Sequence, residues 1–335
     1  MKIGIVFDLK EDYDIHGVET ADYHDFCFLS EAEAAYRGFS MLGHEAFYVG
    51  NPSTLLEWLK TGALDCDIIY NIAEGYMSRN REGIVPSVCE AFGIPYTGTD
   101  AFGLSLSLHK YQTGCYLERS NISVPESFLF VPSVHQITDV KKIAADKRIS
   151  FPVVLKPNHE GSSMGLVLAE DAGQLESALA DLVTRFSQEI LIQQYISGAE
   201  LSTCILGTGD QAYVYANVEY TKTDGGNIEL FTRTLKINGN HRMIDPRWDR
   251  RLIADMEAQA LYIHRILGLR DISRIDWRID AKKKKAFFIE ATPLPDLSEG
   301  TEFHWAAEQK RQPYTQVFDE ILRSAALRYN LDCDC

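Results

Sequence analysis

Short apolar runs alternate with amphipathic stretches through the first hundred residues of the chain. The six segments, in βαβα order, are residues 3–7, 30–42, 46–48, 55–60, 68–70 and 84–92. Such alternation predicts a mostly parallel sheet covered by helices, with ligands beyond the carboxyl ends of its strands. We therefore expect a Rossmann-like α/β domain at the N-terminus, whose functional loops follow Phe7 and Tyr70.

From about Ser127 onward the pattern changes to an α+β one. Helices are predicted at residues 173–185 and 252–267, where apolar side chains recur at helical spacing. The polar stretch 221–227 interrupts a run of strands and is typical of a mobile loop. At 335 residues, the chain has room for two or three domains.

Composition argues against several classes of function. A formal net charge of −15 disfavours binding to nucleic acid, since affinity for the phosphate backbone needs clustered Lys and Arg. The longest apolar runs are strand-length, far short of the ~20 residues that cross a bilayer. The start MKIGIVFD lacks the apolar core of a signal peptide. We therefore expect a cytoplasmic protein that binds neither nucleic acid nor membrane.

The cysteines give no sign of a disulfide framework. Their number is seven, which is odd, and they are scattered, so we expect reduced thiols. Cys333 and Cys335 are soft metal ligands, but two ligands at a chain end indicate a frayed tail more strongly than a metal site.

The segment Phe151–Gly165 is the best candidate for a phosphate-binding loop. An apolar strand ends at Lys156 and is followed by the small residues Gly161, Ser162 and Ser163. Such residues let backbone amides approach a polyphosphate, and the lysine adds a fixed positive charge. The loop is not a Walker motif, and Gly/Ser loops are also common turns, so alone it leaves ATP binding and a plain turn equally open.

Two further segments are compatible with nucleotide chemistry. The strand at residues 190–194 leads into a turn that can offer backbone groups to an adenine edge, with Glu200 beyond it for ribose hydroxyls. A plain β-connection with a surface glutamate is the alternative for this segment. If residues 273–280 and 287–292 form a hairpin, Asp276 and Glu290 present two carboxylates to one point.

Such hard oxygen ligands near a phosphate suit magnesium. Arg274 lies two residues before Asp276 and therefore on the same face of the strand, where it can steady a transferring phosphoryl group. A cross-strand salt bridge is the alternative for any one pair, but it explains the three segments together poorly.

In order and spacing, the three segments resemble the ATP-grasp enzymes, and the chain resembles D-alanine-D-alanine ligases over nearly its whole length. A fourth element carries the same resemblance. Residues 71–75 and 79–86 are similar to the family's substrate loop, and Gly93-Ile-Pro-Tyr-Thr-Gly-Thr-Asp100 is similar to its GIPYTGS signature. Lys110 falls at the family's first ATP-binding lysine.

The resemblance implies an ATP-grasp fold behind the Rossmann-like domain, and roles for particular residues. The implied N-terminal domain, central subdomain and C-terminal subdomain are residues 1–105, 106–188 and 189–335. ATP would contact Lys110, Lys156, Glu160, Gly161, Ser162, Ser163, Gln193, Gln194, Ile196 and Glu200. Mg²⁺ or Mn²⁺ would contact Asp276, Glu290 and Thr292. The catalytic residues would be Arg274, Ser162 and Lys222. Substrates would contact Glu74, Arg81, Glu82, Asp296 and Thr301.

The implied reaction activates a carboxylate for capture by an amine. The carboxylate attacks the γ-phosphate of ATP, an acylphosphate forms, and the amine of the second substrate displaces phosphate. Lysines, loop amides and Arg274 would balance charge on the phosphates, which magnesium would bridge. Because an acylphosphate hydrolyses in water, a lid is expected, and residues 220–227 with Lys222 occupy the corresponding place.

The loop after the first strand departs from the family. Members that make D-alanyl-D-alanine carry Gly-Gly-x-Ser-x-Glu there, and its glutamate holds the ammonium of the first substrate. This chain instead has Phe7-Asp-Leu-Lys-Glu-Asp-Tyr13, which opens a polar loop running to about Ser30. The ammonium partner stays open among Asp8, Glu11, Asp12 and Glu31.

The metal strand departs as well. The family reads Glu-x-Asn and then Pro-Gly, whereas this chain reads Glu290-Ala-Thr292 and Pro295-Asp296. Threonine is a poorer metal ligand than asparagine, and the carboxylate of Asp296 would repel an incoming acid. Thr301 falls where the family places a serine on the carboxylate of the second substrate.

We therefore predict an ADP-forming acid-amine ligase whose ATP half is retained and whose amino acid or peptide substrate differs from D-alanine. Two alternatives stay open: a genuine D-alanine-D-alanine ligase of cell-wall synthesis, and an ATP-binding regulator without turnover. The sequence leaves the acid, the amine, the pathway and a homodimeric state undetermined.

Overall fold

The computed structural model describes residues 1–13, 26–147 and 149–332. The strands in these ranges are β1 (Lys2–Val6), β2 (Glu45–Gly50), β3 (Ile68–Asn71), β4 (Ser127–Phe130), β5 (Val153–Pro157), β6 (Val167–Ala169), β7 (Ile190–Gln194), β8 (Gly198–Leu206), β9 (Tyr213–Lys222), β10 (His241–Ile244), β11 (Ile272–Asp280) and β12 (Lys285–Thr292). The helices are α1 (Leu29–Met41), α2 (Pro52–Thr61), α3 (Ile84–Phe92), α4 (Ala101–Leu108), α5 (Lys110–Glu118), α6 (Val140–Asp146), α7 (Ala172–Phe186), α8 (Arg233–Ile237), α9 (Arg250–Ile266), α10 (Glu302–Lys310) and α11 (Thr315–Tyr329).

The strands form three sheets. The first has the order β2-β1-β3 and is parallel, as the alternating pattern of the first hundred residues predicts. The second has the order β4-β7-β5-β6, and the third the order β10-β9-β8-β11-β12, both with antiparallel pairing. The mixed α/β and α+β fold class is therefore confirmed.

Local sequence signals set the bounds of the helices. In α2, the side chain of Asn51 accepts a hydrogen bond from the backbone N–H of Thr54 at 3.0 Å, and Pro52 occupies the first helical position. Gly62 ends the helix in the left-handed region at φ 70°. No described helix is long and apolar enough to cross a membrane.

The carboxylate of Asp271 ties the N-terminal sheet region to the C-terminal half. It is fully buried and accepts hydrogen bonds from the Arg328 guanidinium at 2.8 and 2.9 Å and from the backbone N–H of Gly98 at 2.7 Å. Helix α11, which carries Arg328, also packs on α1, where the Phe318 ring lies against Gly38. The two halves are thereby held around the cleft between them.

Two predicted features differ in the structure. Strand β7 pairs with β4 and β5, so it belongs to the central sheet although it lies in the predicted C-terminal subdomain of residues 189–335. The three-part division stays a prediction, with its second boundary better placed after Gln194. The predicted loop at residues 221–227 begins at the end of β9, and its remainder is the first part of a longer segment, residues 223–240, which includes α8 and which we call the lid.

Candidate active site

A cavity of about 430 Å³ lies between the N-terminal region, the central sheet and one face of the five-stranded sheet. Most of the predicted site residues line it. These are Glu74, Glu82, Lys110, Lys156, Glu160, Gly161, Ser162, Ser163, Glu200, Arg274, Asp276, Glu290, Thr292, Asp296 and Thr301. The predicted residues that are absent from its lining are Arg81, Gln193, Gln194, Ile196 and Lys222.

Two buried lysines stand beside a glutamate at one end of the cavity. The Lys110 ammonium lies 3.1 Å from the Glu290 carboxylate and also donates to the backbone carbonyl of Glu160. Lys156, on β5, is 7% exposed. Burial lowers the pKa of Lys156 to about 8, partly offset by the negative charge of Glu290. The two ammonium groups carry more positive charge than Glu290 neutralises, so a bound polyphosphate would supply the remaining negative charge.

The loop after β5 has an unusual backbone. Ser162 and Ser163 both adopt the left-handed region, with φ 48° and 57°, and the N–H of Met164 closes a turn on the carbonyl of Gly161 at 3.0 Å. Two adjacent non-glycine residues in this region cost about 1–3 kcal/mol each, and such strain is concentrated at binding sites. The backbone conformation is consistent with the phosphate-binding loop that the sequence predicts there.

Glu160 lines the cavity and also has partners within the protein. Its carboxylate accepts from the Gln188 amide at 2.7 Å and lies 3.9 Å from the Arg81 guanidinium. Arg81 donates to the carbonyl of His159 at 2.6 Å and lines a neighbouring cavity rather than this one. The contacts of Glu160 with ATP and of Arg81 with substrate stay predictions.

The strand predicted for adenine has side chains with partners inside the protein. The Gln194 side chain accepts from Ser150 at 2.9 Å and donates to the carbonyl of Pro152 at 3.2 Å, so it is engaged in the central sheet. Gln193 is buried in the same sheet. The carbonyl of Ile196 accepts from Arg278 at 3.1 Å. The contact of this segment with ATP, which the sequence assigns to backbone groups, stays a prediction.

Arg278 connects the nucleotide end of the cavity with the lid. Its guanidinium donates to Glu200 at 2.9 Å and to the carbonyl of Ile228 in the lid at 3.0 Å. It also contacts the hydroxyl of Tyr195, which in turn donates to the carbonyl of Glu229 at 2.9 Å. Because Arg278 follows Asp276 by two residues, β-strand alternation places both on one face of β11.

The register of the sheet brings the predicted metal residues together. Ser202, Asp276 and Glu290 lie directly opposite one another on β8, β11 and β12. Thr292 is likewise opposite Arg274. The predicted hairpin and its facing carboxylates are present in the structure, which favours a role in binding a cation near phosphates.

Arg274 belongs to a ring of polar contacts. It donates to both oxygens of Asp276, at 2.8 and 2.9 Å, and its third contact is Glu302 at 3.3 Å. The ring is completed by Ser202, which donates to Asp276 at 2.6 Å, and by Tyr220, which lies 3.0 Å from Ser202 and donates to Glu302.

The ring keeps its acids ionised. Burial alone would raise the pKa values of Asp276 and Glu302, but the Arg274 guanidinium and the hydrogen bonds of the ring hold both below their usual values. The arrangement fixes Arg274 between two carboxylates of the protein itself.

The substrate end of the cavity is acidic and partly aromatic. Glu31, Glu74, Phe26 and Phe28 line it from the N-terminal region. Asp8, one of the candidates for an ammonium partner, is fully buried and accepts from the backbone N–H groups of Glu74 and Gly75 at 2.8 and 2.7 Å.

Only one of the four ammonium candidates lies in the cavity lining. Asp12 accepts from the backbone N–H of Leu9 at 2.7 Å, outside the cavity, and Glu11 is exposed. Of the four candidates, Glu31 is therefore the one that lines the cavity. Residues 14–25 of the predicted polar loop, and Cys333 and Cys335, lie outside the described ranges.

Asp296 and Thr301 close the substrate end. The Asp296 carboxylate accepts from the backbone N–H of Ser298 at 2.6 Å, and burial raises its pKa. The Thr301 hydroxyl donates to the carbonyl of Ser298 at 2.8 Å. Both residues line the cavity, as predicted, but they already have partners within the 296–301 turn.

Lys222 lies outside the cavity lining in this structure. The chain turns back directly after it, through a hydrogen bond between its N–H and the carbonyl of Gly226 at 2.8 Å, and its side chain is exposed. Arg233 and Lys236, both on α8, line the cavity. The catalytic role of Lys222 stays a prediction, and Arg233 and Lys236 are further candidates for the lid cation.

Several site residues escaped the sequence prediction: Ser202, Tyr220, Arg233, Lys236, Arg278 and Glu302. Strand alternation was a usable signal for Arg278, two residues after Asp276, and for Ser202, two after Glu200. Glu302 is the first residue of α10, and acids are common in the first turn of helices whatever their function. The sequence therefore offers no reason to assign Glu302 to the site.

The cation-binding capacity of the site rests on few groups. No group of three or more His, Cys, Asp or Glu side chains that could hold a metal is found in the described ranges. Asp276 and Glu290 are nevertheless hard oxygen ligands in the cavity wall. Magnesium in phosphoryl-transfer sites is commonly bound by one or two carboxylates together with phosphate oxygens and water, so the donor set fits it.

The fold and site define an ATP-grasp ligase. Residues 117–323 match the family model described as "D-ala D-ala ligase C-terminus", and the chain belongs to this family. It is an ATP-dependent, ADP-forming ligase.

Similar proteins agree with this assignment. A D-alanine--D-alanine ligase from Xanthomonas axonopodis pv. citri (strain 306) is 28% identical and is aligned over 72% of this chain and 73% of its own. The crystal structure of a D-alanine--D-alanine ligase from Bacillus anthracis superposes with a TM-score of 0.75 at 16% identity, over 98% of each chain. The VanG D-Ala:D-Ser ligase from Enterococcus faecalis gives 0.72 at 18% identity, over 97% of this chain and 99% of that one.

Proposed function

We propose that this enzyme forms an amide bond between an amino acid or peptide and an amine other than D-alanine, through an acylphosphate. The observation that carries the proposal is the substrate end of the cavity, where Glu302 contacts Arg274 and Asp296 lies beside the same space. The structurally similar VanG protein is a D-Ala:D-Ser ligase, so proteins of this fold differ in the amine they take.

The roles of the residues follow from charge and position. Lys110 and Lys156 would neutralise the phosphates, and Glu200 would accept from the ribose. Asp276 and Glu290, with Thr292 as a weak third ligand, would hold magnesium, which supplies positive charge that bridges the phosphates. Arg274 would stabilise the negative charge that develops on the transferring group.

The lid would protect the intermediate. Arg233 and Lys236 approach the cavity from the lid, and Arg278 holds its backbone at Ile228. A closed lid excludes water from an acylphosphate, so the amine competes with little hydrolysis. We place this reaction in the cytoplasm, where ATP is supplied.

The experiment measures phosphate release from Mg-ATP by the purified protein with pools of amino acids, dipeptides and simple amines, followed by mass spectrometry of the product. We expect release that depends on an acid and an amine other than D-alanine. Robust release with D-alanine alone would instead support a genuine D-alanine-D-alanine ligase. Nucleotide binding without release in any pool would support an ATP-binding regulator.

A further inference from the structure

The carboxylate of Glu302 occupies a central position in the cavity wall. It is the first residue of α10, and its side chain is 13% exposed. One oxygen faces Arg274 at 3.3 Å, and the other accepts from the Tyr220 hydroxyl. A substrate that enters the cavity therefore meets the ionised Glu302 carboxylate, which already contacts the Arg274 guanidinium.

Arg274 already contacts two carboxylates, and two of its five N–H donors remain for any other ligand. A guanidinium has five N–H donors in a planar fork. Its Nε and one terminal nitrogen contact Asp276, and the other terminal nitrogen contacts Glu302. A substrate carboxylate would have to displace Glu302 or lie next to it, and like charges in such proximity are strongly unfavourable.

Two other groups at this end could attract a substrate carboxylate, and both already have a partner within the protein. The N-terminus of α10 favours an anion, but Glu302 in its first turn already provides one. The Thr301 hydroxyl donates to the carbonyl of Ser298. Asp296 adds a second acidic side chain to the same wall.

We propose that Glu302 is a specificity-determining residue that restricts the amine substrate to compounds without a carboxylate beside the reacting amine. The amine would be neutral at that position, as in an amino acid amide, or carry a second positive charge, as in a diamine. This proposal rests on the proposed ligase function. It concerns only the amine, since the acid that is activated must carry a carboxylate.

Matched pairs of amines test the proposal. The wild-type enzyme receives Mg-ATP, a pool of amino acids as acids, and equimolar ¹⁵N-alaninamide and ¹⁵N-alanine of the same hand; glycinamide and glycine form a second pair. We expect the labelled nitrogen of alaninamide or glycinamide to enter the product at least about tenfold faster than that of the matching amino acid. Equal or faster entry from the amino acid would overturn the proposal while leaving the ligase function intact. No phosphate release with any amine would overturn both.

A charge-removing variant assigns the effect to Glu302. Glu302→Gln keeps the size of the side chain, and we expect it to narrow the preference between the paired amines by about tenfold. Glu299→Gln is the matched control, because Glu299 is exposed three residues earlier and absent from the cavity lining. A Glu302→Gln enzyme that binds ATP normally and keeps the wild-type preference would contradict the assignment. If that variant does not fold, Glu302→Ala, which also removes the charge, carries the same test.

Discussion

The two ends of the cavity differ in the sign of the charge they present. At the nucleotide end, the buried lysines Lys110 and Lys156 share Glu290, and a loop of small residues leaves room for phosphates. At the substrate end, Glu31, Glu74, Asp296 and Glu302 line the wall, and Arg274 is already held by acids. The first arrangement favours an anion, and the second favours a group with positive charge, such as an amine.

This difference indicates which site residues are required by the reaction with ATP and which depend on the substrate. Every ligase that uses ATP must neutralise the same triphosphate, so the lysines and facing carboxylates are required whatever the substrate is. The amine end must match only its own ligand, and a few side chains at the start of α10 and in the N-terminal loops are enough to change it.

The largest effect should come from the carboxylate that serves the nucleotide end. We expect Glu290→Gln to lower kcat by about 100-fold or more, because it removes a charge that positions both Lys110 and a bound cation. Steady-state phosphate release measures this, and a melting curve checks that the variant is folded. Turnover close to that of the wild type would remove Glu290 from the active site.

The lid offers a matched pair of lysines. Lys236 lines the cavity and Lys222 does not, so Lys236→Ala should lower kcat/KM by about tenfold or more, whereas Lys222→Ala should leave it near the wild-type value. The same assay measures both. The reverse order of effects would show that the lid closes with Lys222 over the phosphates.

The link between the nucleotide end and the lid is tested by Arg278→Lys. Lysine keeps the charge but cannot contact Glu200, Ile196 and Ile228 at once. We expect KM for ATP to rise about tenfold and the ratio of phosphate released to amide formed to rise above one, because water reaches the intermediate. A purely structural role for Arg278 would lower stability without changing that ratio.

The smallest effect concerns pH. Burial lowers the pKa of Lys156 to about 8, so this side chain loses its charge as pH rises through that value. A bound triphosphate favours the charged form, and ATP affinity should therefore fall between pH 7 and 9.5, by less than about tenfold in all. Calorimetric titration measures this. Lys156→Arg should give a flat profile, and a flat wild-type profile would contradict the assigned pKa.

Much of the nucleotide end was predictable from the chain. Asp276 and Glu290 belong to one hairpin, which alternation and a short lysine turn predict. A shift of one residue in the pairing between Asp276 and Trp277 brings Glu290, rather than Ile289, opposite Asp276, and the sequence does not show this bulge. Lys156 and the Gly161 loop follow a buried strand directly, so spacing alone places them together.

The substrate end was predicted less well, because its geometry depends on contacts between distant elements. Asp8 is an acid in the right loop, but its burial under the backbone N–H groups of Glu74 and Gly75 cannot be read from spacing. Lys222 and Lys236 are both lid lysines, and only the turn through Gly226 separates their positions. The partnership of Glu302 with Arg274 joins two elements 28 residues apart.

The central claim is that ATP activates a carboxylate as an acylphosphate in this cavity. Once an acid is identified, its carboxylate is labelled with ¹⁸O and the inorganic phosphate released during amide formation is analysed by mass spectrometry. Transfer of the γ-phosphate to the carboxylate predicts that one labelled oxygen per turnover appears in the phosphate. Phosphate without ¹⁸O, released in step with amide, would contradict the account.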